Sequence, residues 1–176
     1  MALALVLGGI WIYNLLVRRR NIVAEAWAGI DVQLQRRYDL VPNLVAIVKG
    51  YARHESGVLE RVTELRGHPE LGVTERADRE TGLSRSIGRL FALAEDYPDL
   101  KASKGFAQLH RSLVEIEEHL QFARRYYNGS VRDNNNRVES FPSLIIARLF
   151  GFRSAAFFEI ELASQRIPPT VRFEPA

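Results

Sequence analysis

The sequence predicts an all-α protein: an N-terminal transmembrane helix, an antiparallel four-helix bundle, then a short C-terminal helix and an extended tail. Three observations carry this. Residues 2–17 are uncharged and run straight into Arg18-Arg19-Arg20. Beyond them, apolar residues recur at three- and four-residue spacings, with almost no strand-like alternation. Proline- and glycine-marked interruptions divide those stripes into four segments with short connections, the pattern of an up-and-down bundle. The expected divisions are residues 1–18 for the anchor, 19–140 for the bundle body and 141–176 for the terminal helix and tail, packed on the bundle or on the membrane surface.

The anchor comes first. As a helix, residues 2–17 extend about 24 Å against a hydrocarbon core of about 30 Å, short for a span but within reach of snorkelling arginines. Trp11 and Tyr13 stand near its end, where amphipathic aromatics settle at an interface, and Arg18, Arg19 and Arg20 close it. A cleaved signal peptide would carry its positive charge before the apolar run, and here the charge follows. A buried helix of a soluble protein is the other competing reading. With basic residues only on the C-terminal flank, the positive-inside bias puts the body in the cytoplasm, on a single-pass protein of the cell (inner) membrane. The absence of cysteine fits a reducing compartment without deciding it.

The body follows in four stripes. Val23, Trp27, Ile30 and Leu34 form the first, and Pro42 is expected to break or kink it near Val41. Leu44, Val48, Tyr51, Val58, Val62 and Leu65 form the second, ending at Gly67-His68-Pro69. A looser segment, residues 70–78, leads to Leu83, Ile87, Leu90 and Ala94, which stop at Tyr97-Pro98. Phe106, Leu109, Leu113, Ile116, Leu120, Ala123 and Tyr127 make a heptad seam suited to shallow helix crossings. It is expected to fade through Asp133-Asn134-Asn135-Asn136 and end before Phe141-Pro142. A last apolar piece, residues 144–152, carries only Arg148 as a charge. If Pro42 breaks the first helix, that piece returns beside Arg18–Arg20 and lies on the bilayer surface; if Pro42 merely kinks it, the piece ends up at the far end. Capping of the bundle core is the plainer alternative.

Charge and motifs narrow the function. The formal net charge is +3, which Arg18–Arg20 account for, so the body is neutral and lacks the basic face that nucleic acid requires. His54-Glu55 and Glu115-x-x-x-His119 are the carboxylate–histidine pairs, and neither has the Glu-x-x-His spacing of a bundle di-iron site or the His-Glu-x-x-His of a zinc site. No Gly-x-Ser-x-Gly elbow and no glycine-rich phosphate loop occur. Asp133 with its three asparagines lacks the ligand spacing of a calcium loop. No catalytic, cofactor or metal residues are therefore assigned. Asp31, Arg36, Arg37, Asn43, Glu55, Glu117, Arg124 and Asn128 flank or interrupt the seams, and they are expected to form an inter-helix polar network that fixes register; a partner-binding face is the alternative.

Tyr13-Asn14-x-Leu-Val, Arg20-Asn21, Glu25-Ala26-Trp27 and the long run from Ile30 through Gln33-Leu34-Gln35-Arg36-Arg37-Tyr38-Asp39-Leu40-Val41-Pro42-Asn43-Leu44 resemble the LemA family. So do Lys49-Gly50-Tyr51-Ala52-x-His54-Glu55, Tyr97-Pro98-Asp99-Leu100-Lys101, Ala123-Arg124-Arg125-x-Tyr127-Asn128, Phe141-Pro142 and Phe150-Gly151-Phe152. The resemblance implies a bacterial membrane protein with an N-terminal anchor and a helical-bundle body, and it transfers no catalytic residue. Ser103-Lys104-Gly105, Asp133 and Gly67-His68-Pro69 depart from the family pattern. The expected role is a membrane-anchored interaction or scaffold protein whose partners are the lipid bilayer and another protein or a second copy. An enzyme or metal-dependent activity in an unrecognised site, or a lipid-organising envelope component, are the alternatives.

Overall fold

A computed structural model describes residues 2–51, 60, 62–64 and 71–159, and in it the apolar N-terminal run and the first body stripe are one helix, α1 (Ala2–Tyr51). Pro42 lies inside α1 and does not break it, so of the break or kink expected from sequence the break does not occur. The reason lies in the stripe itself. Ala26, Ile30, Leu34, Tyr38, Val41, Leu44 and Val48 are all buried at spacings of three and four, so the apolar period passes through the proline without losing phase. A helix-interior proline costs about 3 kcal/mol. Burying Val41, Leu44 and Val48 contributes about 1.5–3 kcal/mol each, which outweighs it. Pro42 itself sits on the exposed face.

Residues 60 and 62–64 are also helical, and Val62 is buried; Val58, Leu65 and the Gly67-His68-Pro69 connection lie outside the described residues. The second labelled helix, α2 (Val73–Ala94), starts earlier than expected and absorbs residues 73–78. Arg76, Ala77 and Glu80 are buried there, extending the Leu83, Ile87, Leu90, Ala94 stripe toward the N-terminus. Glu75 lies in the first turn, where a carboxylate complements the helix dipole. The helix tightens at its end, with the Glu95, Asp96 and Tyr97 amides donating to the carbonyls of Ala92, Leu93 and Ala94. Pro98 then opens the short α3 (Pro98–Ala102) at the position where its missing N–H costs nothing.

The longest body helix is α4 (Lys104–Glu139), which buries Phe106, Leu109, Leu113, Ile116, Leu120, Tyr127, Val131 and Val138 on one seam. It does not fade at residues 133–136. Asparagine side chains in a helix usually compete for neighbouring backbone groups, but here they are engaged elsewhere. Asp133 pairs with Arg19 at 3.0 Å, Asn134 is buried in the seam between Val131 and Val138, and Asn135 bonds the backbone of Ala155. A last short helix, α5 (Ser143–Leu149), precedes an irregular stretch through Glu159. No strand occurs among the described residues.

Contacts between the helices give their directions. Arg19 meets Asp133, Trp27 meets Tyr127, and Arg37 meets Glu117, so α4 runs opposite to α1. Asp31 meets Arg76 while Arg37 and Tyr38 meet Glu80, so α2 runs the same way as α1. Although Pro42 makes no break, α4 still runs toward the N-terminal end of α1. Residues 144–152 thus lie beside Leu16, and the expected link between their position and a break at Pro42 does not hold. They also do not cap the main core: Leu16, Val138 and Ala147 form a separate small cluster.

Candidate functional site

Arg37 projects from α1 into the contact between α2 and α4, and it is buried. Its position, three residues after Leu34 and seven after Ile30, is a core position of the α1 stripe, so the fold forces a guanidinium inward. One nitrogen, Nη1, donates to Ser84 Oγ at 2.9 Å and lies 3.5 Å from Glu80 Oε2. The other, Nη2, donates to Glu117 Oε2. Tyr38 Oη donates to the second oxygen of Glu80, and Gln121 Nε2 donates to Glu117 Oε1 at 2.9 Å. One cation thereby ties three helices together through planar, directional bonds that lysine could not reproduce.

The electrostatics follow from burial. Glu80 is almost wholly enclosed, and loss of hydration raises its carboxyl to about 7; Arg37 opposes the shift and Glu117 adds to it. Glu80 is therefore divided between acid and carboxylate at neutral pH, while Glu117 is about a third exposed. Arg124 has its guanidinium pKa lowered, chiefly by burial and against the attraction of Glu117. Above this cluster an open groove of about 390 Å³ lies between α2 and α4, walled by Ile87, Phe91, Leu113 and Val114, with Arg37, Ser84, Glu117 and Gln121 on its polar side.

A second polar set holds the chain after α5. Asn128 Nδ2 donates to the Phe158 carbonyl at 3.1 Å while its Oδ1 accepts the Phe158 N–H at 2.9 Å. Asn135 repeats the arrangement on Ala155, at 2.9 and 2.8 Å. The spacing is matched: seven helical residues advance about 10.5 Å, and three extended residues about 10 Å. Tyr127 Oη adds a bond to the Ala156 carbonyl at 2.9 Å, and burial raises its phenol pKa. Phe158 packs edge-on to Trp27, which also meets Tyr127 and lies under the guanidinium of Arg76. Arg76 in turn stands 2.5 Å from Asp31.

The residues expected from sequence separate accordingly. Arg37 and Glu117 meet directly, with Arg124 close enough to feel Glu117. Asp31 pairs with Arg76, and Asn128 binds the chain after α5. Arg36 and Asn43 are exposed on α1, and Glu55 lies outside the described residues. Of the membrane-flank residues, Trp11, Arg18 and Arg20 are exposed, Arg19 pairs with Asp133, and Tyr13 stacks on Phe150 and Phe152. Glu115 and His119 are exposed on α4, and His54 is outside the described residues. Among the described residues no three His, Cys, Asp or Glu side chains gather to hold a metal.

Sequence reasoning missed Glu80, Tyr38, Ser84, Arg76 and Asn135. The signals existed for three of them. Glu80 lies three residues before Leu83 on the same stripe, Tyr38 four after Leu34, and Asn135 one heptad after Asn128.

Comparison with known proteins finds relatives at low identity. The magnetosome protein MamQ 2 of Paramagnetospirillum magneticum is 23% identical over 175 residues, covering 84% of this chain. MamQ of Magnetospirillum gryphiswaldense is 22% identical over 174 residues, covering 83%. The chain spans 64% of the length of each of these relatives. Protein LemA of Metamycoplasma hominis is 24% identical over 149 residues, which cover 83% of this chain and 68% of that protein. The model of the LemA family matches residues 26–173, and by that match the chain belongs to the LemA family.

Proposed function

We propose that this protein is a single-pass, membrane-anchored scaffold whose helical body stands in the cytoplasm and presents a helix surface to another protein. The observation that carries this is the continuity of α1. The apolar N-terminal turns and the central helix of the body are one 50-residue element, about 75 Å long if straight. Leu3, Val6, Leu7, Ile10 and Trp11 are exposed along its first turns, an apolar surface that no described residue covers and that acyl chains would. The body is thereby carried on the anchor without a flexible linker, in an orientation set by the anchor. The packing of α4 against α1 in the opposite direction is compatible with a bundle body.

The groove over Arg37 and Glu117 supports the interaction role, because it combines apolar walls with a charged, hydrogen-bonded side. Two measurements test the reading. A compartment-sensitive reporter fused to the C-terminus is expected to read out in the cytoplasm; an extracytoplasmic signal would overturn the orientation. A photo-crosslinking residue in place of Val114, in the groove wall, is expected to trap a protein in native membranes, and one in place of exposed Arg36 is not. Equal trapping at both positions, or none at Val114, would remove the groove as the interaction site.

A further inference from the structure

We infer that residues 141–152 form a short re-entrant turn that inserts its apolar side chains into one leaflet of the bilayer, beside the anchor. This rests on the reading of residues 2–17 as a membrane span. The chain path is explicit. At the end of α4, Val138 packs with Leu16. Ile146 Cδ1 comes to 3.9 Å from where a Cβ on Gly9 would stand. The path then rises: Phe150 stacks on Tyr13 at 4.9 Å, Phe152 lies under the Arg20 guanidinium, and Asn135 holds Ala155. If Arg18–Arg20 mark the headgroups, Gly9 lies nine residues deeper, about 13 Å, which is close to half of a hydrocarbon core of about 30 Å. The turn therefore reaches well below the headgroups instead of resting on them.

Three further features suit lipid and not water. Phe141, Ile145, Leu149 and Phe150 are 57–80% exposed and continue the uncovered apolar surface of the anchor. No acidic residue occurs from Ser140 to Phe158, whereas Arg148 and Arg153 are exposed and long enough to snorkel to phosphates. The backbone ends are also closed. Ser143 Oγ is within hydrogen-bonding distance of the Arg137 and Ser140 carbonyls, at 2.6 and 2.9 Å. At the other end the Phe150 and Phe152 amides donate back to Ile146 and Ala147 around Gly151, whose φ of 72° only glycine adopts cheaply. Such closure is what a short helix needs where water is absent.

The test uses the full chain in phosphatidylcholine–phosphatidylglycerol vesicles. The chain has no cysteine, so single cysteines at Ile145, Leu149, Val6 and Val32 can each carry an environment-sensitive fluorophore. All four positions are exposed, and helicity by circular dichroism checks that each labelled protein is folded. Lipids brominated midway along the acyl chain are expected to quench probes at Ile145 and Leu149 as strongly as at Val6, and to leave the probe at Val32 unquenched. Quenching at Val6 without quenching at Ile145 and Leu149 would overturn the insertion and leave the anchor standing. No quenching at Val6 would overturn the anchor itself, and the insertion with it.

Discussion

The two packed regions of this protein are built for different surroundings. Around Arg37 the core is large and encloses charges: a guanidinium, a carboxyl held near neutrality and a tyrosine hydroxyl satisfy one another beneath Ile87, Leu113 and Leu90. Around Leu16 the cluster is three buried residues, Leu16, Val138 and Ala147, with Ile12, Ile146 and Phe152 packed on it and Ile145, Leu149 and Phe150 exposed nearby. The first region carries its polar groups inside and leaves a mixed surface. The second has its apolar groups outside and a few cations at its edge. A core that encloses polar groups and a root that exposes apolar ones are thus joined on one helix, and the difference between them shows as which side chains are left uncovered.

The sharpest way to break the first region is Arg37→Ala. It leaves Glu80 and Glu117 facing each other without their cation, and the expected loss is about 3–5 kcal/mol of unfolding free energy. Denaturant unfolding in detergent measures it, and Arg37→Lys is expected to recover only part of the loss. In contrast, Leu149→Ala in the second region is expected to change detergent stability by less than about 0.5 kcal/mol, as for exposed surface positions generally.

Glu80 sharpens the comparison through pH. Its folded pKa of about 7 lies above the ordinary 4.5, so the native state holds the proton more tightly than the unfolded chain does. Stability contributed by this group is full below about pH 4.5 and falls as pH rises through about 7, by on the order of 1–3 kcal/mol. Glu80→Gln is expected to flatten that slope in thermal melts taken from pH 5 to 8. An unchanged slope would mean that another group carries it.

Next in size is Asn135→Ala, which removes both bonds to Ala155 and is expected to cost about 1–3 kcal/mol. Its local signature is faster tryptic cleavage after Arg153. Smaller again is Asp133→Ala: the Arg19–Asp133 pair is largely exposed on the Asp133 side, and its loss is expected to cost less than about 1 kcal/mol, further reduced in high salt.

Much of the fold was legible because burial follows periodicity. Ile30, Leu34, Leu83, Leu90 and Leu113 are core positions both in the pattern and in the structure. The reading went astray where a local rule met a stronger tertiary one. Pro42 has the marks of a break, yet the stripe on either side stays in phase and its burial prevails. Asp133 to Asn136 read as a fading stretch before an ending ahead of Phe141-Pro142. The helix does end there, at Glu139, but the stretch does not fade, because Arg19 and Ala155 engage two of its side chains. The site was half legible for a related reason. Arg37 and Glu117 stand out as charges beside seams, but their union with Glu80 depends on α2 running parallel to α1, a relation between distant segments that spacing along the chain does not encode.

The central claim is that the anchor and the body share one uninterrupted helix, and the distance across Pro42 tests it most directly. Asn21→Cys and Lys49→Cys place spin labels at two exposed positions of the cysteine-free chain. A continuous helix over those 28 residues is expected to give about 42 Å in a pulsed dipolar measurement. A chain that turns back at Pro42 would instead give roughly 20–25 Å, with about 32 Å out and 10 Å back, and that distance would contradict the account.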